Sequence, residues 1–171
     1  MRMNNEKGAK ILLLRPFLSN FGVMARMFKS LQKSVNTIVR NLNKVAKDAI
    51  NENLSVMADM NREQLELGIN AEDGDVGFYR SLSYARLKKS IGSRSPFGIA
   101  DLKLTGDFHS GIFARRRGDD LIFGSTDGKT AELVSRYGPI LGLTKESQTD
   151  VTDNYIFPII TDWIGQQIRQ I

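Results

Sequence analysis

Residues 102–125 read LKLTGDFHSGIFARRRGDDLIFGS, and the punctuation of this stretch decides how the chain folds. Thr105 is placed to cap a helical turn, with Asp107 favourable against the positive end of that turn. Gly111 is placed to close it. Two strand-like runs follow, Ile112–Arg117 and Leu121–Ser125, joined by Gly118-Asp119 as a hairpin turn. Alternation sends Ile112 and Ala114 to one face and Phe113 and Arg115 to the other. Arg115-Arg116-Arg117 is the densest charge in the chain and sits at the tip, either as a solvated end or against a phosphate or an acidic neighbour.

Upstream lies one long helical signal, at about residues 24–66. Met24, Phe28, Leu31, Val35, Ile38, Leu42, Val45 and Ala49 recur at alternating spacings of four and three, an a/d heptad pattern. After Ala49 the phase slips by one, to Ile50, Leu54 and Met57, and the polar Asn61 at the next position weakens the stripe. Gly68 is placed to end the helix. A continuous helix of this length spans on the order of 65 Å, against about 40 Å for a compact domain of this chain length. It therefore either breaks near the phase slip or extends beyond its own domain, where its apolar stripe needs a partner. Residues 1–20, with a basic start, an apolar run and then Arg15-Pro16, read as an N-terminal arm. Residues 21–171 read as a single domain.

Further along, Ile69–Gly77 is a polar turn region. Its acidic cluster lacks calcium-loop spacing, because the position that needs glycine is Asp75. Phe78–Ser95 interleaves Tyr79, Arg80, Tyr84 and Arg86, as a short helix or irregular strand with a wet outer face, or as a surface for single-stranded nucleic acid. Ala131–Tyr137 reads as a short helix capped by Thr130 and closed by Gly138-Pro139. Ile140–Ser147 reads as a loop, and Asp150–Ile171 as a final helix that Pro158 either kinks or starts.

With 41% hydrophobic and 25% charged residues the chain can bury a sizeable core. It has no cysteine, which removes disulfides, thiolate nucleophiles and cysteine metal sites together. No early apolar run is long enough for a signal-peptide core or a membrane span, so a soluble chain made inside the cell is expected, without a membrane partner. Charge is uneven: residues 1–47 carry ten Lys/Arg and one acidic residue, while 48–171 carry fourteen against eighteen. Such asymmetry marks contact with nucleic acid or an acidic protein surface, or a solvated helix face. Arg26, Lys29, Lys33, Arg40 and Lys44 are the candidate contacts on the helix, with Arg115, Arg116 and Arg117 on the hairpin.

No enzymatic constellation emerges. Gly124–Thr130, GSTDGKT, has three residues between its glycines where a phosphate-binding loop needs four, and a strand–turn–helix connection is expected instead. His109 is the only histidine, expected as a local hydrogen-bonding residue. Asp119 and Asp120 sit at a wet hairpin tip, where both stay ionised. Arg117-Gly118-Asp119 spells an adhesion tripeptide, but is also ordinary turn chemistry. No metal or cofactor is expected.

The pattern around the hairpin resembles a tailed-bacteriophage family of tail-completion, neck or virion-morphogenesis proteins. The resemblance rests on Leu102, Thr105, Gly106, Phe108, Ser110 and Ile112, then Gly124, Gly138 and the loop Leu141-Gly142-Leu143. It covers roughly residues 36–171. Two positions depart from it: Tyr137 rather than His precedes Gly138, and Pro139-Ile140-Leu141 lacks an Arg common in the family. The resemblance implies an α+β fold, a long N-terminal helix with a small antiparallel sheet packed by short helices and a C-terminal helix. It also implies a structural subunit in a homo-oligomeric ring at the head–tail junction, around the DNA channel. Its partners would be virion proteins on the portal or connector side and on the tail side, and its location the virion, after assembly in the host cytoplasm. The alternatives are a nucleic-acid-binding protein that uses the basic helix, and a tail terminator or minor tail protein.

Overall fold

A computed structural model describes residues 6–169 of the chain, with side chains from residue 21 onward. Of the expected N-terminal arm, residues 1–5 lie outside the described residues, and residues 6–20 are described only as backbone within a helix. The fold is α+β. Its elements are α1 (Glu6–Glu52), α2 (Leu54–Glu66), α3 (Leu82–Ser90), α4 (Asp107–Ser110), β1 (Ile112–Arg117), β2 (Asp120–Ser125), α5 (Thr130–Tyr137), α6 (Lys145–Val151), a π-helical segment (Thr152–Ile156) and α7 (Phe157–Arg169). The chain divides into two compact units, Met1–Val45 with Ile160–Ile171, and Ala46–Ile159.

The heptad run forms a helix because it contains no proline and, between Gly22 and Gly68, no glycine. Its interruption is a single residue, Asn53, which stands close after the phase slip. Asn53 Nδ2 donates to the Ala49 carbonyl at 2.9 Å, the acceptor its own N–H would use in an unbroken helix. That N–H turns to Ile50 O at 3.1 Å instead. α2 ends as Gly68 predicts. Gly68 has φ 79, its N–H donates to Leu65 O, and the Ile69 N–H donates to Gln64 O, a Schellman motif. A Cβ at Gly68 would lie 2.5 Å from Ile99 Cγ2, so the position is doubly reserved for glycine.

The second unit holds the core. Leu65 and Ala58 of α2 pack with Val76, Ala100, Phe108, Ile112 and Ile140, and Met57 packs with Leu143 and Val151. Each large side chain buried there contributes roughly 1.5–3 kcal/mol. β1 and β2 pair antiparallel with Ala114 opposite Phe123 and Arg117 opposite Asp120. The loop is the two residues predicted, with Gly118 at φ 67, the first position of a turn that suits glycine. Ile112 and Ala114 face the core as alternation requires. Phe113 lies on the outer face over Gly124, where a Cβ would meet its ring at 2.6 Å.

Three local expectations are corrected. Thr105 is not the cap of α4: Gly106 occupies that position at φ 94, and Thr105 Oγ1 donates to Asp107 Oδ2 at 2.7 Å. Thr130 is the first residue of α5 rather than its cap, and its hydroxyl donates back to Asp127 O at 2.6 Å. Helix begins inside the expected loop, at Lys145, because Thr144 Oγ1 accepts the Ser147 N–H at 3.1 Å and makes an N-cap there. Pro158, expected either to kink the final helix or to start its main part, does the latter: it is the second residue of α7, one residue after the π-helical segment. A proline cannot supply its N–H to a carbonyl one turn back, and a wider turn just ahead of it accommodates that loss.

Candidate functional site

α1 carries the first candidate surface. From Met24 to Leu42 most heptad positions stay in solvent: Met24 is 54% exposed, Phe28 67%, Leu31 46% and Val35 48%, with Ile38 half-buried among them. Apolar side chains at those values on one helical stripe form an uncovered face. Arg26, Lys29, Lys33, Arg40 and Lys44 are all exposed, and none has an ion-pair partner among the described residues. The stripe ends where the second unit begins to bury it: Ala49 is fully buried, and Ile50 and Leu54 pack against Met57.

The hairpin arginines do not act together. Arg115 lies over the Phe113 ring, 5.6 Å from its centroid. Arg116 turns inward, donating from Nε to Asn51 Oδ1 at 3.0 Å and from Nη1 to Gly118 O. Arg117 stands opposite Asp120. At the same tip Lys47 pairs with Asp119 at 2.6 Å and holds that carboxyl below the usual carboxylate range.

The signature residues hold the second unit's shape. Phe108 and Ile112 are core, Leu143 is buried, and Leu102 and Leu141 pack at the core's edge. Gly138 has φ 76 with ψ −140, a region open essentially to glycine alone. Gly142 has φ 145, and a Cβ there would lie 3.0 Å from Ala71 Cβ.

What sequence reasoning missed is a set of buried polar side chains. Asn61, which breaks the apolar pattern, is fully buried; its Nδ2 donates to Ile140 O at 3.1 Å and its Oδ1 accepts the Gly142 N–H at 3.4 Å. Gln64, one turn on, donates to Gly142 O at 3.2 Å and accepts the Thr144 N–H at 3.3 Å. The two amides clamp the Leu141-Gly142-Leu143 loop. Arg62 donates to His109 O and Ile112 O, both at 2.9 Å, and so ties the end of α4 and the start of β1 to α2. For Asn61 and Gln64 the only signal in the sequence is position: amide side chains on the core side of an amphipathic helix.

A second network centres on Asp101. Lys88 Nζ lies 2.9 Å from Asp101 Oδ1, with side chains only 5% and 4% exposed. Tyr79 Oη donates to Oδ1 at 2.8 Å, the Lys103 N–H donates to Oδ1 at 2.9 Å, and Ser93 Oγ donates to Oδ2 at 2.7 Å. Burial pushes the Asp101 carboxyl up, but the Lys88, Ser93, Lys103 and Tyr79 donors outweigh it and hold the group below the usual range. Burial and the carboxylate push the Tyr79 phenol well up. His109 is local, as expected: Nε2 bonds to Asp101 O at 2.8 Å, and burial pushes its pKa down so that the ring stays neutral. Its Nδ1 has no hydrogen-bond partner among the described residues.

A cleft of about 360 Å³ opens beside this network, walled by Tyr79, Tyr84, Leu102 and Tyr137. Arg80 and Lys129 line it, and Arg136 lies over the Tyr137 ring at 5.0 Å. The run GSTDGKT is the expected strand–turn–helix connection. Its amides are committed inward: Thr126 N–H to Gly111 O, Asp127 N–H to Ser125 Oγ, and Lys129 N–H to Asp127 Oδ1. ATP with magnesium is therefore expected to leave the melting temperature unchanged, and a clear upward shift would overturn this. Among the described residues no group of three His, Asp or Glu stands placed to hold a metal ion, and no helix is long and apolar enough to cross a membrane. No family model, curated protein or solved structure matches the chain.

Proposed function

We propose that this chain is a non-enzymatic structural subunit of a bacteriophage head–tail junction, a neck or tail-completion protein that assembles as a homo-oligomeric ring around the DNA channel. The observation that carries the assembly part is the uncovered apolar face of α1, from Met24 to Leu42. An exposed heptad stripe is stable in water when another surface covers it, and the readiest cover is a second copy. The virion part is supported by the Leu102–Ser125 pattern and the Leu141-Gly142-Leu143 loop, whose residues serve packing and turns rather than chemistry. Such a subunit meets portal- or connector-side proteins on one side and tail-side proteins on the other.

Sedimentation of the full chain tests the reading. A discrete oligomer is expected, and Phe28→Asp with Val35→Asp should convert it to monomer while leaving the folded second unit's melting transition in place. Both residues lie on the exposed stripe, so the pair acts on association rather than on a core. A wild-type chain that stays monomeric at every concentration reached sinks the proposal. In the phage carrying the gene, its loss should leave filled heads and finished tails unjoined.

A further inference from the structure

We infer that the face of α1 turned away from its apolar stripe binds the phosphate backbone of duplex nucleic acid without sequence preference. The inference rests on the reading above, in which other copies cover the apolar stripe. At about 100° per residue, Arg26, Lys29, Lys33, Arg40 and Lys44 fall within an arc of about 60°, and the centre of the Met24–Leu42 stripe lies roughly 180° away. Covering the apolar stripe therefore leaves the cationic row pointing out of the assembly. The row runs on the order of 27 Å along the axis.

The chemistry of that face is uniform. From residue 21 to residue 47 there is no Asp or Glu. Gln32 and Asn36 flank the cations and add neutral hydrogen-bond donors suited to phosphate oxygens. None of the five cations has an ion-pair partner among the described residues, so an incoming polyanion displaces no existing pair. A protein surface of mixed charge is met by mixed charge, whereas an unbroken cationic row matches a polyanion of one sign. A basic amphipathic helix lies on an anionic bilayer only with its apolar stripe sunk into the lipid, and in the assembly proposed above other copies occupy that stripe. No aromatic side chain lies on the cationic arc to stack on a base, so backbone contact without sequence readout follows.

Anisotropy of a labelled duplex of arbitrary sequence, titrated with the full-length oligomer across a salt series, tests the inference. Binding is expected, with log K falling linearly on log salt at about −0.9 per phosphate contact. Lys33→Gln with Arg40→Gln should flatten that slope by about two contacts and weaken binding at low salt, with the oligomer's mass unchanged. Absence of binding, or a slope that ignores the two substitutions, overturns the inference. So does dissociation of the oligomer by the same pair, which would place the row against an acidic face of a second copy. An oligomer indifferent to DNA overturns this inference alone; DNA binding of the stated slope by a monomeric chain overturns the ring reading alone.

Discussion

Replacing Asn61 by leucine is expected to destabilise the second unit by roughly 2–5 kcal/mol. Leucine has the same branched, four-heavy-atom side chain as asparagine but is bulkier, so the change leaves no cavity and adds some overpacking to the loss of the hydrogen bonds. Asn61 is fully buried, and its amide serves Ile140 O and the Gly142 N–H from 79 and 81 residues away. Removing it leaves the buried Ile140 carbonyl and the half-buried Gly142 N–H without that partner, and an unsatisfied buried group costs about 1–3 kcal/mol. In urea the midpoint should fall with an unchanged m-value, and Tm should fall by about 10 °C. An Asn61→Leu variant within about 1 kcal/mol of wild type would show that the clamp on the Leu141-Gly142-Leu143 loop carries little.

The second large effect belongs to the Lys88–Asp101 pair. Lys88→Met should cost about 3–5 kcal/mol, because it leaves an ionised carboxylate in a site that excludes water. Changing Lys88→Met and Asp101→Leu together should cost less than Lys88→Met alone, since the pair's desolvation is then avoided as well. An equal or greater loss in the double variant would mean that the Tyr79, Ser93 and Lys103 bonds to Asp101 matter more than the charge pair.

The same network sets the response to acid. The folded-state pKa of His109 lies below its unfolded value, so the unfolded chain takes up the proton first. Its contribution is full above about pH 6.5 and declines as pH falls below that. Asp101 also has its folded pKa depressed, so its contribution is full above about pH 4 and is lost as pH falls through the folded value. Urea midpoints should therefore begin to fall below about pH 6.5 and drop further below about pH 4. His109→Gln should flatten the first limb, and a wild-type midpoint constant from pH 7 to about pH 5 would remove His109 from this account.

The sequence by itself determined whatever neighbouring residues decide. Gly118-Asp119 between two alternating runs is enough to set the hairpin and its register, because a two-residue loop leaves one way to pair the strands. Gly68 ends α2, and the heptad stripe marks an apolar face, because both depend on backbone conformation and on a period of a few residues. Where a side chain competes with the backbone over one turn, the reading slipped by a residue or more: Thr105, Thr130 and Thr144 all offer similar hydroxyls, and only Thr144 caps.

Only the tertiary structure decided which polar residues are core. Asn61 and Gln64 look like a flaw in an apolar stripe, yet they close on backbone about 80 residues further on. Lys88 and Asp101 look like surface charges of a basic, aromatic stretch and a loop, yet they bury each other. No local pattern distinguishes a polar side chain in water from one that meets its partner across the fold, because the partner's position is set by packing. The tertiary structure also left the Met24–Leu42 stripe uncovered, and that uncovered face supports the assembly proposed for this chain.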